Sequence, residues 1–189
     1  MSVNKPITIL GGTLSALSVG WIGYCVYQSV QTRPHSQILT DEVIEGVCHS
    51  EFLLNIAMIG VAFLLISIIL LSLGTKWERI SGGGGNAIVI MLAYFAIVIG
   101  VSAFILPPFV KKAIDIKTQE PRIEEVTLTD SYKMRSRRST NYYAVFSNDS
   151  KDSFSRTEYE KYSIGDEFYV IMCGDSCVEH FDVTQYELP

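Results

Sequence analysis

Charge is almost missing from much of the first part of this chain of 189 residues. Three segments, each about 20 residues long, contain no Asp, Glu, Lys, Arg or His, and this length matches a hydrocarbon core crossed at helical rise. They are residues 7–27, 52–73 and 87–106. Buried helices of soluble proteins rarely stay uncharged for so long. The sequence therefore predicts a membrane α region of three transmembrane helices within residues 1–112, embedded in the lipid bilayer.

The first segment has a rival interpretation, because its hydrophobicity is diluted by Gly11, Gly12, Thr13, Ser15, Ser18, Gly20 and Gly23. A signal peptide would explain such an amino-terminal segment. Its apolar stretch is longer than the usual core of a signal peptide, and Trp21, Tyr24 and Tyr27 at its far end are typical of an interfacial aromatic belt. We therefore expect an uncleaved span.

The three spans also lack ionisable side chains, and Asn55 is their only strongly polar residue. Transporters and proton relays normally place charged groups inside the bundle, so a transport function is disfavoured. Pro107 and Pro108 are expected to end the third span, because proline cannot continue a helix.

Small residues recur along one face of two of the spans. Such stripes let helix backbones approach closely in lipid, either within the chain or against another membrane subunit. We treat them as a candidate packing seam, formed by Gly12, Ala16, Gly20 and Gly23 in the first span and by Ala93, Ala96, Gly100 and Ala103 in the third.

The remainder of the chain lacks the residues that several chemistries require. From Ala113 onward, fifteen acidic residues outnumber nine basic ones, which argues against nucleic acid as a partner. The tail contains a single histidine, His180, so a Ser-His-Asp arrangement has no support. The "SGGGG" run at 81–85 lacks the other residues of a phosphate loop. We expect no catalytic residue, cofactor, metal or small-molecule substrate, and no enzymatic activity.

Short alternating segments replace the apolar runs after a linker at 113–122. They predict about five strands in residues 123–189, forming a small antiparallel β-sheet or partly open barrel. Thr157 and Glu160 have the spacing of a capping box and predict one helical turn. A hydrophobic core of this size is only marginally stable without a disulfide, a protein partner or the membrane.

Four cysteines are candidates for disulfides. A three-residue loop at 174–176 would bring Cys173 and Cys177 together on facing strand ends, and Cys25 could meet Cys48 if the first two spans pack side by side. A reduced, inert pair at 173 and 177 is the main alternative. The Cys-x3-Cys spacing makes a redox centre less attractive, and zinc with His180 as third ligand would lack a fourth Cys or His in the tail.

Orientation follows from conflicting signals. The Lys/Arg count near the spans favours a cytoplasmic tail, whereas the dominance of the first helix and the placement of the cysteines favour an exported one. We predict an inner-membrane protein of a bacterial cell with its amino terminus inside and its carboxy-terminal domain outside, in the periplasm.

Residues 137–172 resemble the small β-domain of uncharacterised bacterial integral membrane proteins in which a few helices carry an extracytoplasmic module. The similar features are the basic tip "RRST" before the strand "NYYAVF", the turn "RTEYEKY" and the strand start "SIGDEFYVIM". The resemblance implies a location and a fold, and it brings no catalytic motif.

These observations favour an accessory subunit that binds another protein or a larger membrane complex through its β-domain and helix seam. Two alternatives stay open: an immunity protein that neutralises a toxin at the membrane or in the periplasm, and an envelope thiol-disulfide or metal-dependent factor using Cys173, Cys177 and His180. The candidate partner contact is a basic hairpin tip that comprises Arg135, Arg137 and Arg138.

Overall fold

The computed structural model describes residues 5–34, 36–75, 86–137 and 139–189, and only some of the side chains between 86 and 105. Two compact units are present. The helical unit comprises Met1–Gln31 and Leu53–Ala113, and the sheet unit comprises Thr32–Phe52 and Ile114–Pro189. The elements are α1 (Lys5–Thr32), α2 (Asp41–Thr75), α3 (Asn86–Thr118), β1 (Pro121–Arg135), β2 (Thr140–Phe146), β3 (Lys151–Phe154), α4 (Arg156–Lys161), β4 (Glu167–Cys173) and β5 (Ser176–Asp182).

Helices α1 and α2 are long and apolar enough to cross a membrane, with 28 and 35 residues respectively. Both contain the spans predicted for them. The third predicted span lies within α3, part of whose side chains fall outside the described residues, and it stays a prediction. The "SGGGG" run at 81–85 also lies outside the described residues.

Close contact between α1 and α2 depends on glycines. A Cβ atom on Gly11 would lie 2.6 Å from the Leu71 amide nitrogen, and one on Gly74 would lie 2.7 Å from the Thr8 amide nitrogen. The hydroxyl oxygens of Ser15 and Ser67 are hydrogen-bonded at 2.8 Å between the two helices. Small residues therefore let the two backbones approach closely, as expected for helices that associate in lipid.

Helix α3 continues through Pro107 and Pro108 to Thr118, so the prediction that the prolines end it was wrong. Proline removes one hydrogen bond but does not unfold a segment that tertiary contacts hold. Beyond the prolines, Ile116 packs against a hydrophobic cluster of the sheet unit. The predicted linker at 113–122 is occupied by the end of α3 and the start of β1.

The tail forms the expected five-stranded antiparallel sheet, which is curled into a half-barrel. Its strand order is β3-β2-β1-β4-β5, so β3 and β5 are the two edges. Strand β1 is the longest, and it pairs with β4 through Pro121–Thr127 and with β2 through Leu128–Arg135.

Two hydrophobic clusters cover opposite faces of this sheet. The inner cluster is centred on Phe146 and Phe168, and Tyr159 and Tyr162 of the α4 region pack against it. The outer cluster joins Ile171, Cys173 and Val178 of β4 and β5 to Ile44, Val47 and Cys48 of α2. Because β4 is covered on both faces, its sequence reads as the continuous apolar run "FYVIMC".

Residues between the first two helices thus belong to the core of the sheet unit. The backbone of Leu39 donates to Glu187 at 2.9 Å, and Glu187 donates back to Gln37 at 3.0 Å. This short parallel bridge fastens the carboxyl end of the chain to the segment that precedes α2. The additional layer supplies the support that the small sheet was expected to need.

The structure corrects two predicted details of the sheet unit. Helix α4 begins one residue before Thr157, and its capping box is formed by Ser155 and Glu158 rather than by Thr157 and Glu160. The β4–β5 loop has two residues, Gly174 and Asp175, because Cys173 pairs directly with Ser176. Gly174 has φ +58°, the conformation that favours glycine at the first position of such a tight turn.

Candidate functional site

His180 lies on the inner face of β5, surrounded by aromatic rings. Its side chain is only 7% exposed. The ring centroids of Phe154 and Phe168 lie 5.0 and 5.9 Å from that of His180. A β-bulge at Val178 places His180 on this face, because Ile171 pairs with Glu179 whereas the next residue, Met172, pairs with Cys177.

Two carboxylates contact the His180 imidazole from different elements. Nδ1 lies 2.7 Å from Asp152 Oδ2 on β3, and Nε2 lies 3.4 Å from Glu158 Oε1 on α4. Burial by itself would lower the pKa of His180, but the hydrogen bonds to Asp152 and Glu158 outweigh it and raise that pKa to about 10. His180 is thus a buried imidazolium at neutral pH, and it connects the two edge strands and α4.

Glu158 has a second role at the start of α4. Its Oε2 accepts a hydrogen bond from the Ser155 amide at 2.6 Å, which completes the capping box. The hydrogen bond to His180 is the main cause that lowers the pKa of Glu158 to about 2, although burial opposes it. The orientation of α4 across the half-barrel therefore depends on the charged His180.

The Asp182 carboxylate, on the same strand, also accepts hydrogen bonds from several side chains. Asp182 accepts hydrogen bonds from the Tyr162 hydroxyl at 2.9 Å, from Lys161 Nζ at 3.0 Å and from the Thr184 hydroxyl at 2.6 Å. Burial would raise the pKa of Asp182, but the bond from Thr184 and that from Lys161 lower it. Asp182 is therefore a carboxylate that holds α4 and the end of β5 together, not a proton donor at neutral pH.

The His180 surroundings also contain donors of the kind that bind metals. Ligand atoms of Asp152, Glu179 and His180 all lie within 4.8 Å of one another. However, His180 is protonated on both nitrogens, and Glu179 is engaged in an ion pair with Arg33. A metal would have to displace a proton from His180 and break the ion pair of Glu179 with Arg33. The geometry therefore favours a structural ion-pair cluster.

Cys48 and Cys173 are the cysteines that the structure brings together. All four cysteines are buried, and the Cys48 and Cys173 sulfur atoms lie 3.8 Å apart. The contact with Cys173, together with burial, raises the pKa of Cys48 well above its usual range. A buried thiol with a raised pKa is a poor nucleophile, which argues against redox catalysis at this pair.

The structure separates Cys173 from Cys177, which were predicted to form a hairpin disulfide. The two-residue turn and the bulge place Cys177 in the inner cluster and Cys173 in the outer one, so the expected hairpin staple is not formed. The predicted pairing of Cys25, on α1, with Cys48, on α2, stays a prediction. No signal in the sequence alone indicates the pairing of Cys48 with Cys173, because 125 residues separate them.

The distal parts of β1 and β2, residues 130–145, form an arm in which β3 pairs with β2 only as far as Tyr142, so that β1 and β2 alone continue to the tip. Along it, Tyr132 pairs with Tyr143, and their rings stack with centroids 5.3 Å apart. Met134 lies on the same face and is 59% exposed. Arg135 and Arg137 at its tip are exposed, and Arg138 lies outside the described residues.

The candidate seam residues face away from α2 within the helical unit. Added Cβ atoms on Gly12, Gly20, Gly23 and Gly100 would meet nothing within 4 Å, in contrast to Gly11. Ala16, Ala93, Ala96 and Ala103 are exposed. The contact between α1 and α2 thus uses a different stripe from the one that the sequence pattern emphasised.

No protein-family model, curated protein or solved structure matches this chain.

Proposed function

We propose that this protein is a non-enzymatic accessory subunit, anchored in a membrane, whose sheet unit binds another protein through the β1–β2 arm. The single observation that carries the proposal is the exposed edge of that arm. Strand β4 pairs with β1 only as far as Thr127. The next residue, Leu128, makes backbone hydrogen bonds with Gly165 and Asp166. Beyond that point, no strand among the described residues pairs with this edge of β1. Open edges of this kind bind extended segments of other proteins by adding a strand.

The composition of the arm also supports protein binding. Tyrosine, methionine and arginine are enriched in protein interfaces, and the arm has all three on or near one surface. The stacked tyrosines lie beside the exposed Met134 and so combine an apolar patch with hydroxyl groups at its margin.

Charge indicates the kind of partner. Residues 130–141 contain four basic residues and one acidic residue, whereas the chain as a whole has a net charge of −5. Such a local positive region steers and orients an acidic partner surface. Partly open five-stranded barrels include oligonucleotide-binding folds, but the acidic character of the domain disfavours nucleic acid here.

The helices support a membrane location. Two are membrane-capable, and the seam residues on α1 and α3 leave small-residue surfaces that a further membrane subunit could contact. We place the protein in a bacterial inner membrane, with its amino terminus inside and its sheet unit outside. The ion-pair clusters around His180 and Asp182 support the non-enzymatic role, because their charged groups are engaged in holding α4 to the strands.

A site-specific crosslink in the full-length protein tests this function. A photoreactive amino acid replaces Met134 in one variant and Ile164, which is 69% exposed outside the arm, in a control variant. We expect a discrete crosslinked protein from position 134 but not from position 164. Charge reversal by Arg135→Glu with Arg137→Glu should lower the crosslink yield about tenfold, equivalent to ~1.4 kcal/mol of binding free energy.

Equal crosslinking from both positions, or none from position 134, would contradict the proposed role of the arm. Identification of the crosslinked protein as a secreted toxin would assign the chain to the immunity class instead. A crosslink yield that survives both charge reversal and Tyr132→Ala would show that the arm is not the binding surface.

A further inference from the structure

Two thiols from distant parts of the chain meet in the outer cluster of the sheet unit. We propose that Cys48 and Cys173 form a structural disulfide that joins the first turns of α2 to the end of β4. The inference is independent of the arm and of any binding partner.

The local geometry is favourable for this bond. The two sulfur atoms are 3.8 Å apart, whereas a disulfide requires about 2.05 Å, so the sulfurs need to approach by under ~2 Å. Cys48 is 7% exposed and Cys173 is fully buried. Ile44, Val47 and Val178 belong to the same cluster, in which Cys48 lies on α2 and Cys173 on β4.

The position of Cys177 excludes it as the partner of Cys173. Cys177 pairs with Met172 across the hairpin and points into the inner cluster, on the opposite face of β4 and β5 from Cys173. A bond from Cys173 to Cys177 would need a register change in that hairpin, which would move the side chains of β5 to the wrong faces. Cys25 belongs to α1, and its pairing with Cys48 is an outcome of the test below.

Bond formation requires an oxidant, which we identify by class as an enzyme carrying a reactive disulfide. The Cys48 thiol loses its proton and attacks the oxidant disulfide, which forms a mixed disulfide and releases one oxidant thiolate. Cys173, also deprotonated, then attacks the Cys48 sulfur and releases the second oxidant thiolate. The two cysteines lose two electrons and two protons in total, and the oxidant becomes a dithiol.

This exchange must take place before β4 packs against α2. In the folded chain the Cys173 sulfur is shielded, and a bulky oxidoreductase has no access to it. The same shielding protects the finished bond from reduction. Such disulfides persist in oxidising compartments, so the proposal agrees with a sheet unit located outside the cytoplasm.

Peptide mapping of the full-length protein tests the proposal. Thiols are alkylated at harvest under denaturing conditions, without reductant, and the protein is digested with chymotrypsin and a protease that cuts before aspartate. Cleavage before Asp175 separates Cys173 from Cys177, and cleavage before Asp41 and after Phe52 isolates Cys48. We expect a linked peptide pair containing Cys48 and Cys173, which disappears after reduction, with Cys25 and Cys177 alkylated.

Variants provide the matched controls. Cys177→Ser should retain the linked pair, whereas Cys48→Ser and Cys173→Ser should each lose it and leave the remaining partner alkylated. Alkylation of all four cysteines in the unreduced wild-type protein would overturn the proposal. A peptide pair that links Cys173 to Cys177, or Cys25 to Cys48, would overturn it as well.

Discussion

His180 shows how one residue can connect three elements of a small sheet. Its imidazolium contacts Asp152 on one edge strand and Glu158 on α4, while it is itself part of the other edge strand. Charged groups buried among phenylalanine rings are tolerated only when they are paired with an opposite charge. Here the imidazolium pairs with both carboxylates. Removing the histidine would leave both carboxylates without their cation.

The raised pKa of His180 predicts a pH-dependent stability. The folded protein keeps this proton up to about pH 10, whereas the unfolded chain loses it near 6.5. The stabilisation is therefore fully present below pH 6.5 and decreases as the pH rises toward 10. Between pH 6.5 and 8.5 we expect the free energy of unfolding to fall by about 1 kcal/mol per pH unit. On the acid side, the lowered pKa of Glu158 predicts loss of stability below pH 4.5, continuing toward pH 2.

Denaturant unfolding of the full-length protein in detergent micelles, followed by the near-ultraviolet circular dichroism of its tyrosines, measures this dependence. His180→Gln should be less stable at pH 6.5 and should lose the slope between pH 6.5 and 8.5. His49→Gln is the matched control, because His49 is exposed at the start of α2. An unchanged slope in His180→Gln would show that another group titrates.

At the scale of the elements, α1 presents two neighbouring glycines in opposite situations. Gly11 contacts the α2 backbone, whereas an added Cβ on Gly12 would meet nothing within 4 Å. Ala at position 11 would clash with the Leu71 backbone, which cannot move aside as a flexible side chain could. Contact between these helices is therefore specific to one face of α1.

This contrast predicts different effects of the same substitution. Gly11→Ala should lower the free energy of unfolding of the helical unit by about 1–3 kcal/mol, because the helices must separate. Gly12→Ala should leave that free energy of unfolding unchanged or raise it slightly, since alanine has a higher helix propensity than glycine. Unfolding in detergent followed by tryptophan fluorescence reports the difference, because Trp21 lies beside Gly60 at this contact. Equal stability of the two variants would mean that α1 and α2 do not pack in this way.

The whole molecule combines an apolar helical unit with a sheet unit that takes in the segment between α1 and α2. That segment contributes Arg33, Leu39 and Cys48 to contacts with the β-strands and the carboxyl end of the chain. All of the sheet unit should therefore lie on one side of the membrane. This is consistent with the predicted topology, in which the first loop and the tail share a side.

Labelling with a membrane-impermeant maleimide checks this topology. In a Cys25→Ser, Cys177→Ser background, Ser139→Cys introduces an exposed thiol near the arm tip, and Thr75→Cys introduces one at the end of α2. In spheroplasts we expect label on Ser139→Cys only, and label on Thr75→Cys only after the membrane is permeabilised. The reverse pattern would place the tail in the cytoplasm, as the Lys/Arg count favours. The background protein without an added cysteine controls for labelling of Cys48 and Cys173.

Hydrophobic runs and strand alternation are local properties, and the sequence alone was therefore sufficient to predict the membrane-capable α1 and α2 and the five-stranded domain. Predictions failed where distant contacts decide the outcome. Proline at 107 and 108 does not end α3, because residues beyond it pack in the sheet unit. Ser155 caps α4 rather than Thr157. Both residues precede a glutamate by three positions, Glu158 and Glu160 respectively, and only one of them can be the N-cap of the helix.

The candidate site depended most on tertiary structure. A loop shorter by one residue and a bulge at Val178 determine which side chains of β5 face inward, and they bring His180 to Asp152 and separate Cys177 from Cys173. Composition established that this chain has long apolar segments and an acidic carboxy-terminal part. Which groups meet was decided only by the fold, because ion pairs and thiol contacts act over a few ångströms whereas their residues lie up to 125 positions apart.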